Sequence, residues 1–129
     1  MILLDTHVLA WLSFDPSKLS RLAASAIRRA SGDGGLCISA ITLWELGWLI
    51  AHGRLQMPGT LETVLEKVSS RVAVLPITQK IAALANQFPQ DFPNDPCDRL
   101  IGATSLAEGV ILITKDERIR ASKLLRTIW

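Results

Sequence analysis

Four acidic residues stand where a carboxylate is either costly or well placed for chemistry: Asp5, Glu45, Asp98 and Asp116. Asp5 closes the apolar run Ile2-Leu3-Leu4, and Asp116 comes just after Val110-Ile111-Leu112-Ile113. Asp98 lies in Asp95-Pro96-Cys97-Asp98-Arg99, and Glu45 in Ile41-Thr42-Leu43-Trp44-Glu45-Leu46-Gly47-Trp48-Leu49-Ile50, where its neighbours are apolar on every helical face. Each aspartate has a plain structural role open to it. Asp5, Asp95 and Asp116 are favoured helix N-caps, and Asp98 can serve as a first-turn charge or an ion-pair partner of Arg99. Glu45 has fewer, because desolvating an unpaired ion costs on the order of several kcal/mol. It must be protonated, metal-bound, or paired with a distant cation such as Arg99. Four carboxylates at one place repel each other and stay ionised together only with a cation among them. An all-oxygen donor set favours Mg²⁺ or Mn²⁺, and the lack of an HxH or CxxC pattern argues against zinc. Such an ion, keeping its waters, can activate one for attack on a phosphodiester. The chemistry these residues point to is hydrolytic and nuclease-like.

The elements that must bring the acids together alternate between strand and helix. Ile2–Leu4 reads as a buried strand feeding a helix that carries Val8, Leu9, Trp11 and Leu12. Asp15-Pro16 reads as an N-cap with proline in the first turn of a helix from Ser17 to Ser31, with Leu19, Leu22, Ala23, Ala26 and Ile27 on one stripe. Gly32-Asp33-Gly34-Gly35 ends it. Leu36–Ser39 follows as a strand, and Ala40–Ala51 as a helix so apolar that it must be buried or covered by a partner. A helix from Thr60 to about Arg71, a strand at Val72–Pro76 and a helix from Thr78 to Gln87 come next. Phe88–Pro96 is a proline-rich loop. Asp95-Pro96 opens a helix to Glu108-Gly109, Val110–Ile113 is a strand, and a last helix from Lys115-Asp116 precedes a short strand near Ile128. Continuous apolar strands joined by helical crossovers specify a three-layer α/β/α domain with a central parallel sheet. Ligands of such sheets bind beyond the carboxyl ends of the strands, where Asp5 and Asp116 fall.

Composition bounds the rest. The 129 residues are 49% hydrophobic and 20% charged, with 8 Gly, 6 Pro and 2 Cys, which excludes disordered, collagen-like and disulfide-scaffold chains and suits one domain over residues 1–129. A net charge of +2 permits a polyanionic partner without requiring one. Apolar stretches stop short of a membrane span, and Met1-Ile2-Leu3-Leu4-Asp5 lacks the basic start of a signal peptide, so a cytoplasmic location is expected. Cys37 and Cys97 are expected to be reduced thiols.

Asp5-Thr6-His7-Val8-Leu9, Glu45 in its tryptophan-flanked helix, Asp95-Pro96-Cys97-Asp98-Arg99-Leu100-Ile101 and Thr114-Lys115-Asp116 together resemble the PIN domain, and more narrowly the VapC-type ribonuclease toxins of toxin–antitoxin pairs. The similarity runs from Met1 to Trp129, and the acids follow one another at 40, 53 and 18 residues, a spacing that suits a domain of this length. The resemblance implies that Asp5, Glu45, Asp98 and Asp116 form a catalytic, Mg²⁺- or Mn²⁺-binding site. It also implies that Thr6 and Thr114 orient them and that Asp95 has a supporting or capping part. An endoribonuclease, a homodimer and a VapB-like antitoxin that blocks the site are implied as well. The chain departs from the commoner pattern at Asn94, where His is usual, and at Cys97, where Phe is usual.

Several further residues border these motifs. His7, solitary and just inside the first helix, has contact with substrate or a metal-bound water open to it, but is expected to be packed and hydrogen-bonded and is left out of the catalytic set. Lys115, Arg118, Arg120, Lys123 and Arg126 face only Asp116 and Glu117 over the same stretch, which makes Lys115, Arg118 and Arg120 candidate RNA-phosphate contacts, with a solvated helix face as the alternative. Trp11, Trp44 and Trp48 are expected mostly in the core, with Trp44 and Trp48 also suited to a dimer or antitoxin groove. No exposed aromatic platform for stacked bases is evident. Two rival functions remain, a non-enzymatic receiver-like or interaction module and a metal-dependent phosphatase. The first lacks paired acids after the first strand and leaves Glu45 without a role. The second lacks an aspartate two residues beyond Asp5.

Overall fold

The computed structural model describes residues 1–129. Five strands form one sheet: β1 (Ile2–Leu4), β2 (Leu36–Ser39), β3 (Ala73–Leu75), β4 (Ile111–Ile113) and β5 (Thr127–Ile128). Every pairing is parallel, in the order β3-β2-β1-β4-β5. Seven helices connect them: α1 (Thr6–Phe14), α2 (Arg21–Ser31), α3 (Ala40–Ala51), α4 (Leu61–Ser69), α5 (Gln79–Gln87), α6 (Pro96–Glu108) and α7 (Glu117–Ala121). The expected three-layer α/β/α architecture is present.

The strands' alternating side chains build the two interfaces. Leu4, Leu36, Ile38 and Ile113 join Leu9 of α1, Ala23 and Ile27 of α2, Leu46 of α3 and Val64 of α4 on one face. Leu3, Cys37 and Leu112 join Ile81 of α5, Ile101 of α6 and Ile119 of α7 on the other. From β1 the chain winds outward through β2 to β3, then crosses to β4 and β5 on the far side of β1. Crossovers of one hand running in opposite directions put their helices on opposite faces. Strand order therefore reverses between β1 and β4, and a crevice opens there at the carboxyl edge.

Side-chain caps set most helix starts. Ser39, Thr60, Thr78, Asp95 and Asp116 each accept a backbone N–H of the helix that follows. The expected helix from Ser17 is the main departure. Pro16–Lys18 form a single 3-10 turn, Leu19 is extended (φ −76°, ψ 139°), and α2 begins after Ser20, whose Oγ accepts Ala23 N at 3.0 Å. The Asp15 carboxylate is occupied by the Ser17 hydroxyl and caps nothing. Leu22, expected on the buried stripe, is 67% exposed. The helix expected to reach Arg71 stops at Ser69.

Trp44 and Trp48 are not core residues. They are 60% and 41% exposed, and Trp48 stacks on His52. Only Thr42, Leu46 and Gly47 of α3 are fully buried, so its apolar outer face stays open to solvent. Cys37 and Cys97 are free, buried thiols, as expected.

Candidate functional site

Asp5 stands at the carboxyl end of β1, beside the reversal of strand order, and its backbone N–H extends the β1–β4 ladder to Ile113 O at 3.1 Å. Its side chain is 7% exposed. One carboxylate oxygen, Oδ1, accepts Thr6 N at 2.8 Å; the other, Oδ2, accepts the Thr114 hydroxyl at 2.7 Å. Thr114, fully buried just past β4, also accepts Asp116 N at 3.1 Å. This one hydroxyl thus ties the acid of β1 to the acid of β4 across the switch point.

Asp116 and Asp95 do cap their helices, and each uses one oxygen to do so. Asp116 Oδ1 accepts Arg118 N at 2.9 Å and Ile119 N at 3.0 Å. Asp95 Oδ1 accepts Cys97 N at 2.8 Å and Asp98 N at 3.2 Å. In both, Oδ2 is left for other partners. Capping orients these carboxylates rather than consuming them.

Glu45 comes in from α3, half-buried. The anticipated ion pair with Arg99 does not form. Arg99 instead clamps the loop before α6, donating to the carbonyls of Ala85, Phe88, Pro89, Phe92 and Pro93 and to Asn94 Oδ1. Its fork is spent on holding the Phe88–Asn94 segment, so it neutralises neither Glu45 nor Asp98. The same loop packs Phe88 and Phe92 against Gly102, where a Cβ would lie 2.9 Å from the Phe92 ring. Loop and clamp together fix the start of α6, and with it Asp95 and Asp98.

The acids act on one another electrostatically. Asp98 is pushed up to about 7, first by burial and then by the charges of Asp5, Asp95, Asp116 and Glu45. Burial also raises Asp5, opposed by the hydrogen bonds from Thr114 and Thr6, and Asp116 adds to the rise. Glu45 is raised by burial, eased by the Thr6 hydroxyl, then raised again by Asp5 and Asp95. Thr6 is fully buried and sits 3.1 Å, hydroxyl to hydroxyl, from Thr42. The four acids singled out from sequence, with Asp95, therefore act on one another at one edge of the sheet.

Two neighbours bear on the acids more directly than the sequence reading expected. Glu45, Asp95 and Cys97 bring one ligand atom each within 4.8 Å of one another, so Cys97 borders the acids directly. Its thiol is pushed up to about 12 by burial and then by Glu45 and Asp95. His7, expected to be packed, is exposed; its charge favours ionised Asp5 and Glu45. Its place beside Asp5 in the chain was the only available signal. Of the basic residues, Lys115, Arg118 and Arg120 are all exposed near Asp116.

The donor set suits a hard divalent cation. Several carboxylates converge, none shares a hydrogen bond with a lysine or arginine side chain, and Asp5, Glu45 and Asp98 are raised first by burial and then by the charges of their neighbours.

Comparison with known proteins agrees with this geometry. Residues 2–123 match the model of the PIN domain family. The chain is 39% identical over 130 residues to a protein named Ribonuclease VapC22 from Mycobacterium tuberculosis, covering 99% of this chain and 98% of that one. Among solved structures, it superposes with TM-score 0.76 at 16% identity on a chain from VapBC2 of Rickettsia felis bound to a promoter DNA fragment, covering 99% of this chain and 98% of the other. A chain of DNA-bound VapBC from Salmonella typhimurium gives 0.72 at 21% identity, with coverage of 99% and 98%. At those identities the structures speak for the fold.

Proposed function

The chain belongs to the PIN domain family, and on that premise we propose that Asp5, Glu45, Asp98 and Asp116 are its catalytic, metal-holding acids. It is a metal-dependent ribonuclease of the VapC type. The observation that carries the site assignment is the convergence of these acids at the β1/β4 switch point around an Asp5 only 7% exposed, with no basic side chain hydrogen-bonded to any of them.

Mg²⁺ or Mn²⁺ is the ion we assign to this oxygen-rich site. When bound, such an ion lowers the pKa of a coordinated water and offsets charge on the phosphate oxygens. The protein's own contribution is to hold the acids aimed, with hydroxyl and backbone hydrogen bonds that partly offset the burial raising Asp5 and Glu45. Thr114 holds Asp5 Oδ2 and, through Asp116 N, fixes the turn into α7. Thr6 N holds Asp5 Oδ1, and the Thr6 hydroxyl favours ionised Glu45. Asp95 anchors the start of α6 and so places Asp98. Lys115, Arg118 and Arg120, exposed beside Asp116, are assigned to contacts with RNA phosphates.

The whole chain is read as a single domain. A VapB-like antitoxin that masks the site and a homodimer built on the open face of α3 complete the proposal, supported by the exposure of Trp44 and Trp48. No helix of the chain is long and apolar enough to cross a membrane, and the cytoplasm is the proposed location.

The test incubates antitoxin-free protein and its Asp5→Asn variant with total RNA and with structured tRNA, in Mg²⁺, Mn²⁺ or EDTA. Cleavage is expected only with the ion and with Asp5 intact. Equal cleavage by Asp5→Asn would remove the assigned acids from the mechanism.

A further inference from the structure

Trp11 is a large aromatic residue that neither core uses. It is only partly buried and takes no part in either hydrophobic cluster, although it lies one turn along α1 from His7. Three groups surround it. His7, exposed, leans against it with ring centres 6.0 Å apart and planes 51° apart. Trp129, beyond β5, does the same at 5.7 Å and 53°. Lys115 Nζ lies over the Trp11 ring, 5.7 Å from its centre. The rings around Trp11 meet at a tilt, whereas Trp48 and His52 are stacked 4.0 Å apart at 18° and use their faces on each other.

One end of this strip meets the acids. The charge of His7 acts on Asp5 and Glu45, and Lys115 directly follows Thr114, the partner of Asp5. The other end runs into a hollow of about 310 Å³ lined by Trp129, Leu22, Arg29 and Arg120. Half-buried aromatic rings interleaved with cations, leading away from a cluster of acids, suit a strand that offers bases to stack and phosphates to pair. The cations also offset the repulsion that a polyanion meets at the acids.

We propose that Trp11, with His7, Trp129 and Lys115, forms a nucleotide subsite in which a base of single-stranded RNA adjoining the cleaved phosphate stacks on the Trp11 indole while Lys115 takes a backbone phosphate. The subsite rests on the nuclease reading of the acids and adds to it a determinant of which base flanks the cut. Stacking is sequence-tolerant, so Trp11 supplies affinity and the surrounding His7 and Trp129 rings limit base size.

The test uses a short labelled oligoadenylate and an abasic ribose-phosphate chain of equal length, bound by the full chain without added divalent ion and read by fluorescence anisotropy. The native protein is expected to prefer the oligoadenylate by about tenfold. Trp11→Leu, confirmed as folded by circular dichroism, erases that preference, and Trp11→Phe restores most of it. Lys115→Ala weakens both probes alike and lowers the slope of log affinity against log salt by about one. Equal affinity of the native protein for the two probes, or a preference that survives in Trp11→Leu, overturns the subsite and leaves the strip to a protein partner. RNA cleavage with metal is measured in parallel. Absence of cleavage by the native protein strikes the nuclease reading, whereas cleavage whose KM and cut sites are the same in Trp11→Leu strikes the subsite alone.

Discussion

Replacing Asp98 by asparagine removes a charge from the site while keeping the backbone N–H that anchors the residue to Asp95 Oδ1. In the folded chain the Asp98 carboxyl is raised from 3.8 to about 7 by burial and by Asp5, Asp95, Asp116 and Glu45. A raised acid holds its proton more tightly folded than unfolded, so its contribution to stability is complete below about pH 4 and is lost as the pH climbs to about 7. Above that, the wild-type protein carries an ionised Asp98 at full cost. The raw displacement corresponds to about 4 kcal/mol, and solvent screening at this half-buried position reduces it to about 1–2 kcal/mol. Free of metal at pH 8, Asp98→Asn is therefore expected to melt about 3–8 °C higher than wild type, and the difference should vanish near pH 4. Divalent ion inverts the order. A ligand at a hundred times its Kd adds about 2.7 kcal/mol to the protein that binds it, and the variant, short of one carboxylate, gains less and no longer cleaves RNA. Thermal melts at pH 4, 6 and 8, in EDTA and in Mn²⁺, read all of this. A lower Tm for Asp98→Asn in EDTA at pH 8, or a difference that ignores pH, would refute the crowding of like charges on which the site assignment depends.

Two other substitutions probe the scaffold around the acids. Thr114→Val takes the hydroxyl from Asp5 Oδ2 and the acceptor from Asp116 N in a fully buried position; it should cost about 2–4 kcal/mol in urea unfolding with EDTA present, and an unchanged midpoint would mean the two acids are held by something else. Arg99→Lys cannot reproduce a planar fork that reaches five carbonyls and Asn94; a loss of about 1–3 kcal/mol and faster proteolysis between Phe88 and Asp95 are expected, and native-like protease resistance would show the loop to be fixed by Phe88 and Phe92 alone.

What was legible in the sequence follows from what is local. β1, β2, α3 and α6 begin and end where their apolar runs, caps and glycines place them, and β4 starts one residue late, because each signal lies within a turn of the boundary it sets. The break at Leu19-Ser20 escaped because two caps compete there, and the pairing of the Asp15 side chain with Ser17 settles the contest in favour of Ser20. Contacts between distant elements were not legible. The apolarity of α3 requires a cover without saying which face has one, so Trp44 and Trp48 emerge exposed. The approach of Cys97 to Glu45 depends on how α3 and α6 cross. The meeting of Trp11 with Trp129 depends on β5 adding to the far edge of the sheet.

The acids themselves show why local and functional readings of one residue need not compete. An aspartate after a parallel strand caps the helix that follows, and the same helix turns away from the sheet edge, where strand reversal leaves a crevice. Asp116 and Asp95 each give Oδ1 to backbone N–H groups, which fixes the plane of the carboxylate and leaves Oδ2 free. Asp5 is held at both oxygens, by a backbone N–H and by a hydroxyl, and is correspondingly the most buried of the set. Glu45 has no cap to orient it and reaches the others from the middle of a helix, so its position rests on the packing of α3 through Thr42, Leu46 and Gly47. Capping is thus the means by which this fold aims its aspartates, and helix packing the means by which it aims its glutamate. A metal ion added to that arrangement meets carboxylates whose directions were already determined when the chain folded.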